Sequence, residues 1–205
     1  IRIQNMTETI QETQKIRAEI LVVAQERFKN FGYGKTTMAE IASDVNMSAA
    51  NLYRYFDNKQ EIAAGCASQC MDDLNRLLEN VVSLPNLDAT QRLHLYVQTC
   101  MRYHFAMMHE APRLNELVEN ITTNHTNLIH QKNQQMEKQI ASILKQAVNA
   151  GEFEVDNIER TASAILRSTV FFTVPLFMHL YTLEEFEKMA VDVVTLIING
   201  LRKTN

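Results

Sequence analysis

The sequence predicts an all-α fold: an N-terminal three-helix unit with a helix-turn-helix, joined by a long helix to a larger helical region. Three observations predict it. Apolar residues recur at i, i+3, i+4 and i+7 along most of the chain, and no alternating strand pattern persists. Thr-x-x-Glu helix-start signals stand at Thr37/Glu40 and Thr182/Glu185. Between residues 36 and 59, TTMAEIASDVNMSAANLYRYFDNK reads as two short helices around a tight turn and the start of a third.

The chain has 205 residues, 46% of them hydrophobic, enough for a sizeable core. No stretch of about 18 apolar residues occurs, so no membrane-spanning helix is expected. The most apolar run, TVFFTVPLFMHLY, is interrupted by Thr173, Pro175 and His179. The N-terminus lacks the apolar core of a secretory signal, and Met6 is a candidate natural start after IRIQN. Three cysteines, an odd number, do not suggest a disulfide framework, and a cytoplasmic location is expected. The net charge is −4. Residues 1–59 hold eight Lys/Arg against seven Asp/Glu, a balance of +1, leaving −5 for residues 60–205. The less acidic part is the one with the helix-turn-helix, a small asymmetry in the direction a nucleic-acid partner requires.

Residues 13–31 read as a long helix with the stripe Ile16, Ile20, Val23, Ala24, Phe28 and Phe31. Gly32 and Gly34 suit its end, and Lys15 and Arg17 are candidate phosphate contacts. Thr37 caps the next helix, whose apolar face is Met38, Ile41, Ala42 and Val45. Ser48 caps a second short helix, with Leu52 and Phe56 inward and Ala49, Ala50, Asn51, Tyr53, Arg54 and Tyr55 on its other faces. In a helix-turn-helix this second helix enters the major groove. Asp57 is placed as the cap of a helix running to Val82, with Ile62, Cys66, Cys70, Leu74, Leu77, Leu78 and Val81 on one side. Lys59 at its start suits a phosphate.

A break at 83–88 follows, and Asp88 caps a helix bearing Leu93, Val97, Cys100, Met101, His104, Phe105 and Met108. Pro112 is placed in the first turn of a short helix to Ile121. A helix over 126–150 is polar in its first half and carries Ile140, Ile143, Leu144 and Ala147 in its second. Asp156 is expected to open a helix with Ile158, Ala162, Ile165, Thr169 and Phe172, kinked at Pro175. Thr182 opens the last helix, with Phe186, Met189, Ala190, Val193, Ile197 and Leu201. These last two helices, about 157–203, are apolar around more than one stripe, which points to a two-fold interface.

The segment GYGKTTMAEIASDVNMSAANLYRYFDNKQEI resembles the DNA-binding part of the TetR family of bacterial transcriptional regulators. The matching features are F-x-x-x-G with T-T, the I-A at 41–42, S-x-x-x-L-Y-x-Y-F at 48–56 and N-K at 58–59. Ala50 departs from the glycine often found there. The resemblance implies a helix-turn-helix domain at 13–60, linked through helix 58–82 to an effector-binding and dimerisation domain at 83–205. It implies a homodimer on a palindromic double-stranded operator, with DNA contacts among Thr36, Thr37, Ser48, Ala49, Ala50, Asn51, Tyr53, Arg54, Tyr55 and Lys59. Of these, Tyr55 and Lys59 would meet phosphate, and Ser48, Ala49 and Asn51 would lie nearest the bases. It also implies a repressor released by a small, largely apolar effector. Cys100, Met101, His104, Phe105, Met108 and Phe172 are the candidate pocket residues.

No enzyme signature is present, with neither a glycine-rich phosphate loop nor H-E-x-x-H. No cofactor or metal site is expected. His104/His109 and His125/His130 are each five apart, off one helical face, and Cys66/Cys70 fall on an apolar stripe. Two other classes remain compatible with the sequence. One is a constitutive architectural or division-control DNA-binding protein of the same fold; the other is an enzyme on a helical scaffold, which no motif supports. Within the regulator class, a thiol-based sensor using Cys66, Cys70 or Cys100 is a further alternative.

Overall fold

A computed structural model describes the backbone of residues 2–202 and the side chains of residues 10–202. The question of Met6 as a start, and residue 203 of the expected interface, lie outside the described side chains. Ten α-helices occur among the described residues: α1 (Arg2–Phe31), α2 (Met38–Asp44), α3 (Ala49–Leu52), α4 (Lys59–Ser83), α5 (Ala89–Glu110), α6 (Leu114–Asn124), α7 (Thr126–Asn149), α8 (Ile158–Ser168), α9 (Val170–Thr173) and α10 (Leu183–Leu201). A 3-10 turn at Pro175–Phe177 and one isolated bridge, Phe153 to Arg202, complete the backbone.

The chain forms two compact units. The first comprises residues 1–70 and 111–126; the second comprises 71–110 and 127–205. This division does not follow the sequence boundary at 83. Helix α6 belongs with the N-terminal helices, and α4 runs through both units.

In the first unit, Ile20, Ala24 and Phe28 of α1 pack with Ile41, Ala42, Leu52, Phe56, Ile62 and Cys66, all at most 1% exposed. Helices as short as α2 and α3 are marginal alone in water, so this shared core and the caps hold them. Thr37 and Glu40 form the expected capping box, and Ser48 accepts from the Asn51 N–H. Asn46 makes the turn between α2 and α3 in the left-handed region, at φ 56°, which its short polar side chain tolerates. Gly65 lies so close to Leu21 that an added methyl would meet Cδ2 at 2.7 Å, which lets α1 and α4 approach.

The second unit is built on the buried faces of α5, α7, α8 and α10, including Leu93, Val97, Ile140, Leu144, Ala162 and Phe186. Arg92 donates to Leu84 O and Gln146 Oε1, both at 2.6 Å, tying the segment after α4 to α7.

Several element boundaries differ from the sequence expectation. Asn58 rather than Asp57 caps α4, and Asn157 rather than Asp156 caps α8. Aspartate and asparagine cap equally well, and Asn157 has the extended backbone a cap takes. α6 starts at Leu114, two residues past Pro112, and runs to Asn124. Pro175 does more than kink: α8 ends at Ser168, α9 is one turn long, and Val174 is extended before the proline. Phe31 and Leu77 are 52% and 43% exposed, outside the stripes assigned to them. On α10 the buried line is Phe186, Ala190, Val194 and Ile198, which leaves Met189, Val193 and Ile197 only half-buried and Leu196 72% exposed.

Candidate nucleic-acid interface and effector core

The helix-turn-helix is fastened by three basic residues, two of which the sequence marks as phosphate contacts. Arg17 donates to Tyr55 O and to Glu61 Oε1 at 2.9 Å, with its guanidinium 4.0 Å from the Phe56 ring centroid. Arg27 pairs with Glu40 and Asp44, each at 2.7 Å, clamping α2 to α1. The Lys59 ammonium donates to Tyr33 O and Thr36 O, both at 2.7 Å, and lies 4.3 Å from the Tyr33 ring centroid. Burial lowers the pKa of Lys59, against the pull of Glu116 and Glu40. Lys59 therefore organises the α1–α2 turn, a role not evident from its place at a helix start.

Thr36 is 1% exposed and donates to Gly32 O at 2.8 Å. Its side chain is closed to DNA, a correction to its assignment as a contact. Gly32, at φ +87°, and Gly34 make room for the Glu116 carboxylate of α6, which accepts from Gly34 N at 2.7 Å. A methyl at either glycine would come within 3.1 Å of Glu116 Oε2.

What faces solvent is a contiguous segment. Thr37, Ser48, Ala50, Tyr53 and Arg54 are exposed, and Ala49, Asn51 and Tyr55 are half-buried. The α-helix ends at Leu52, so Tyr53, Arg54 and Tyr55 lie on the tighter turns after it rather than on helix faces. Those turns are closed by Arg54 N to Asn51 O (3.1 Å) and Tyr55 N to Leu52 O (2.9 Å). Arg54 makes no ion pair among the described residues. Lys35, exposed in the turn before Thr36, is a further cation on this side of the sequence that the motif reading passed over.

In the second unit the structure buries Cys100, Met101, His104, Met108 and Phe172 and half-buries Phe105. Cys100 Sγ is 3.7 Å from His104 Nδ1. Burial pushes the Cys100 thiol up to about 11 and holds His104 well below the usual imidazole range, with Lys132 adding to the latter. Cys66, in the first unit, is pushed up to about 12 by burial and then by Cys70. Phe171, Phe172, Phe177 and Phe186 form an aromatic cluster with centroids 5.3–6.4 Å apart.

Two polar features of this core escape a reading by hydrophobic stripes. Tyr96 donates to Gln139 Oε1 at 2.8 Å, and Gln139 Nε2 donates to Asn75 Oδ1 at 2.7 Å, so a hydrogen-bonded chain joins α5 and α7 to α4. Lys132 donates to Thr173 O at 3.2 Å. Both have a sequence signal. Counting back along α7 from Ile143 through Ile140 and Met136 at helical spacing leads to Lys132, and Gln139 falls beside Ile140 on the same side. Among the described residues, no group of three or more His, Cys, Asp or Glu is placed to hold a metal, and no helix is long and apolar enough to cross a membrane.

Comparison with known proteins bears on both units. A family model for "Bacterial regulatory proteins, tetR family" matches residues 20–66. A model for "Tetracyclin repressor-like, C-terminal domain" matches residues 89–194, over half of the chain. The probable HTH-type transcriptional regulator ArpR of Pseudomonas putida is 30% identical over 92 residues, 43% of this chain and 44% of that protein. The biofilm operon icaADBC HTH-type negative transcriptional regulator IcaR of Staphylococcus aureus is 39% identical over 51 residues, 25% of this chain and 27% of its own. The chain thus matches less than half the length of these curated relatives. A putative TetR-family regulator from Mesorhizobium loti has the same fold, with a TM-score of 0.76, 18% identity, and coverage of 93% of this chain and 98% of that one. So does a transcriptional regulator from Cytophaga hutchinsonii, with a TM-score of 0.73, 22% identity and coverage of 91% and 98%. With a helix-turn-helix unit ahead of a helical second unit, and a family match over each, the chain belongs to the TetR family of bacterial transcriptional regulators.

Proposed function

We propose that the protein is a repressor that binds a palindromic operator as a homodimer and is released when a small molecule occupies its second unit. The observation that carries the DNA reading is the exposure of Ser48, Ala50, Tyr53 and Arg54 on a capped and clamped helix-turn-helix, with Arg54 in no ion pair among the described residues. Ser48, Ala49 and Asn51 would face base edges, Tyr55 and Thr37 would set the register on the phosphates, and Arg54 would read a base or hold a phosphate. Lys59 would act chiefly by shaping the turn beneath them.

Dimerisation is proposed through α8 and α10. Val191 and Leu196 are 39% and 72% exposed on α10, and Val170, Leu176, Leu180 and Tyr181 are each 45–50% exposed nearby in sequence. Two copies paired there would present two recognition elements to successive major-groove faces. Release follows as a population shift: the effector must bind the non-operator geometry more tightly, since equal affinity shifts nothing. The hydrogen-bonded chain from Tyr96 through Gln139 to Asn75 on α4 supports α4 as the transmitting helix.

The thiol-sensor reading gains no support from Cys66 or Cys100. The thiolate is the reactive form, and burial keeps Cys66 and Cys100 protonated at neutral pH.

Selection of genomic fragments with purified protein, followed by footprinting at a stated salt concentration, tests the proposal. A protected inverted repeat with half-sites about one helical turn apart is expected. Protection without sequence preference would replace it with an architectural role, and absence of binding would refute the operator reading.

A further inference from the structure

Lys132 is a basic residue in the wrong place for a surface helix. The residue is half-buried on α7, and desolvation acts on its ammonium. It finds one acceptor, Thr173 O at 3.2 Å, although an ammonium carries three donors. Its other polar neighbours are Cys100 and His104, which are 0% and 4% exposed. Burial keeps the thiol protonated and the imidazole neutral, so neither supplies negative charge. Among the described residues, no carboxylate lies within ion-pair distance of Lys132.

An enclosed charge is normally paired, because removing it from water costs more than a lone carbonyl returns. Arg92, a second enclosed base of this unit, is better supplied, although its Nε lacks a partner among the described residues. It divides its guanidinium between a carbonyl and an amide oxygen. Among the described residues, Lys132 has only one acceptor for its three donors, and its other polar neighbours are neutral. The peptide that receives it belongs to Thr173, next to Phe172 and the Phe171–Phe177–Phe186 cluster. A cation bonded to the peptide that follows Phe172, with two neutral polar groups near it, suits a ligand with one anionic end and an apolar body.

We propose that Lys132 anchors the effector, and that the effector is an organic acid whose carboxylate meets the Lys132 ammonium while its apolar or aromatic body lies against the phenylalanine cluster. The proposal rests on the reading that the second unit takes an effector, and it changes that effector from a largely apolar molecule to an amphiphilic anion. His104 and Cys100 are the neutral groups left to hydrogen-bond the second carboxylate oxygen or a substituent.

The test uses the full-length protein, with decanoate and 4-phenylbutyrate as probes and 1-decanol and 4-phenylbutanol as uncharged counterparts. Affinities are measured by calorimetry for wild type, Lys132→Met and Lys132→Arg. Folding is followed by circular dichroism, and binding to the footprinted operator is measured alongside. Wild type should bind at least one acid about tenfold or more tightly than its alcohol. Lys132→Met should erase that preference while leaving alcohol affinity in place, and Lys132→Arg should restore part of it. Equal binding of acid and alcohol by wild type, a preference that survives in Lys132→Met, or binding of neither acid would each overturn the proposal. Where Lys132→Met does not fold, the wild-type preference is joined by proton uptake at pH 9 on acid binding, since an incoming carboxylate raises the pKa of an amine that burial has lowered. Lack of either would count as refutation. An acid that binds through Lys132 yet leaves operator affinity unchanged would sink the release mechanism while sparing the anchor. Release of operator by an alcohol, equally in wild type and Lys132→Met, would do the reverse.

Discussion

Replacing Tyr96 with phenylalanine removes one oxygen from the interior of the second unit and keeps the ring, which is 1% exposed. The lost hydroxyl is the donor to Gln139 Oε1 at 2.8 Å. Gln139 is itself 5% exposed, so the amide oxygen is left without a partner and with little access to water. The expected cost is about 1–3 kcal/mol, the usual penalty for stranding a buried acceptor. Gln139→Leu breaks the same bond from the other side. Tyr96 then retains only Met136 O at 3.5 Å, and half-buried Asn75 can turn to water. In the double variant both ends are apolar, so the two costs should not add. A coupling energy of about 1 kcal/mol is expected between residues that share a hydrogen bond. Urea unfolding followed by circular dichroism, at one protein concentration because association shifts stability, measures all four corners of the cycle. A Tyr96→Phe variant within about 0.5 kcal/mol of wild type, or two strictly additive losses, would show that the chain from α5 to α4 contributes no specific stability. It would then be a poor candidate for carrying a signal.

Other outcomes follow from the same geometry. Arg54→Ala should weaken operator binding by about 1–3 kcal/mol if the guanidinium reads a base; if it meets phosphate, the salt slope should fall by about 0.9 per contact. Titrations at three salt concentrations distinguish the two. Lys59→Met should lower the unfolding free energy by about 2 kcal/mol, since two short charge-assisted bonds are lost at a half-buried site. The operator salt slope should change little, and the opposite pattern would restore Lys59 as a phosphate contact. Leu196→Glu should convert the proposed dimer to a folded monomer in sedimentation, because the residue is 72% exposed and outside the core of its own chain; a wild type that sediments as a monomer would refute the pairing. Stability should also fall in acid. The Thr37 hydroxyl and N–H hold Glu40 below the ordinary carboxylate value of 4.5, and the Thr182 N–H and hydroxyl do the same for Glu185. A depressed folded pKa stabilises fully above the unfolded value and is lost as pH falls through the folded one. Loss should therefore begin near pH 4.5, and Glu40→Gln with Glu185→Gln should flatten it.

Cap chemistry was the most legible part of the sequence, because a cap is local. Thr37, Ser48, Asp88 and Thr182 all act as their spacing suggests. Where two capping residues stand side by side, at 57–58 and 156–157, local chemistry cannot choose between them, and the packed helix axis decides. Charge was less legible. Arg17, Lys59 and Lys132 look like solvated or phosphate-facing cations until the fold supplies Glu61, a pair of turn carbonyls, or a neutral core. Thr36 was misplaced for the same reason: its hydroxyl bonds a carbonyl four residues back, a satisfaction that leaves no trace in the pattern. The grouping of α6 with the first unit could not be read at all, since it depends on Glu116 reaching a glycine amide 82 residues away in sequence.

That grouping limits modularity. The polypeptide passes from one unit to the other after residues 70, 110 and 126. A chimera spliced at a single point near residue 83 would inherit a foreign α6, with no assurance of a carboxylate for Gly34 N or of Arg113 for Asn30 O. An excised fragment 1–83 would leave those groups to water and bare the surface that Leu114, Leu117 and Ile121 help to bury. Recombining sensors with operators in this scaffold therefore means moving two separate pieces of sequence, 1–70 and 111–126, together.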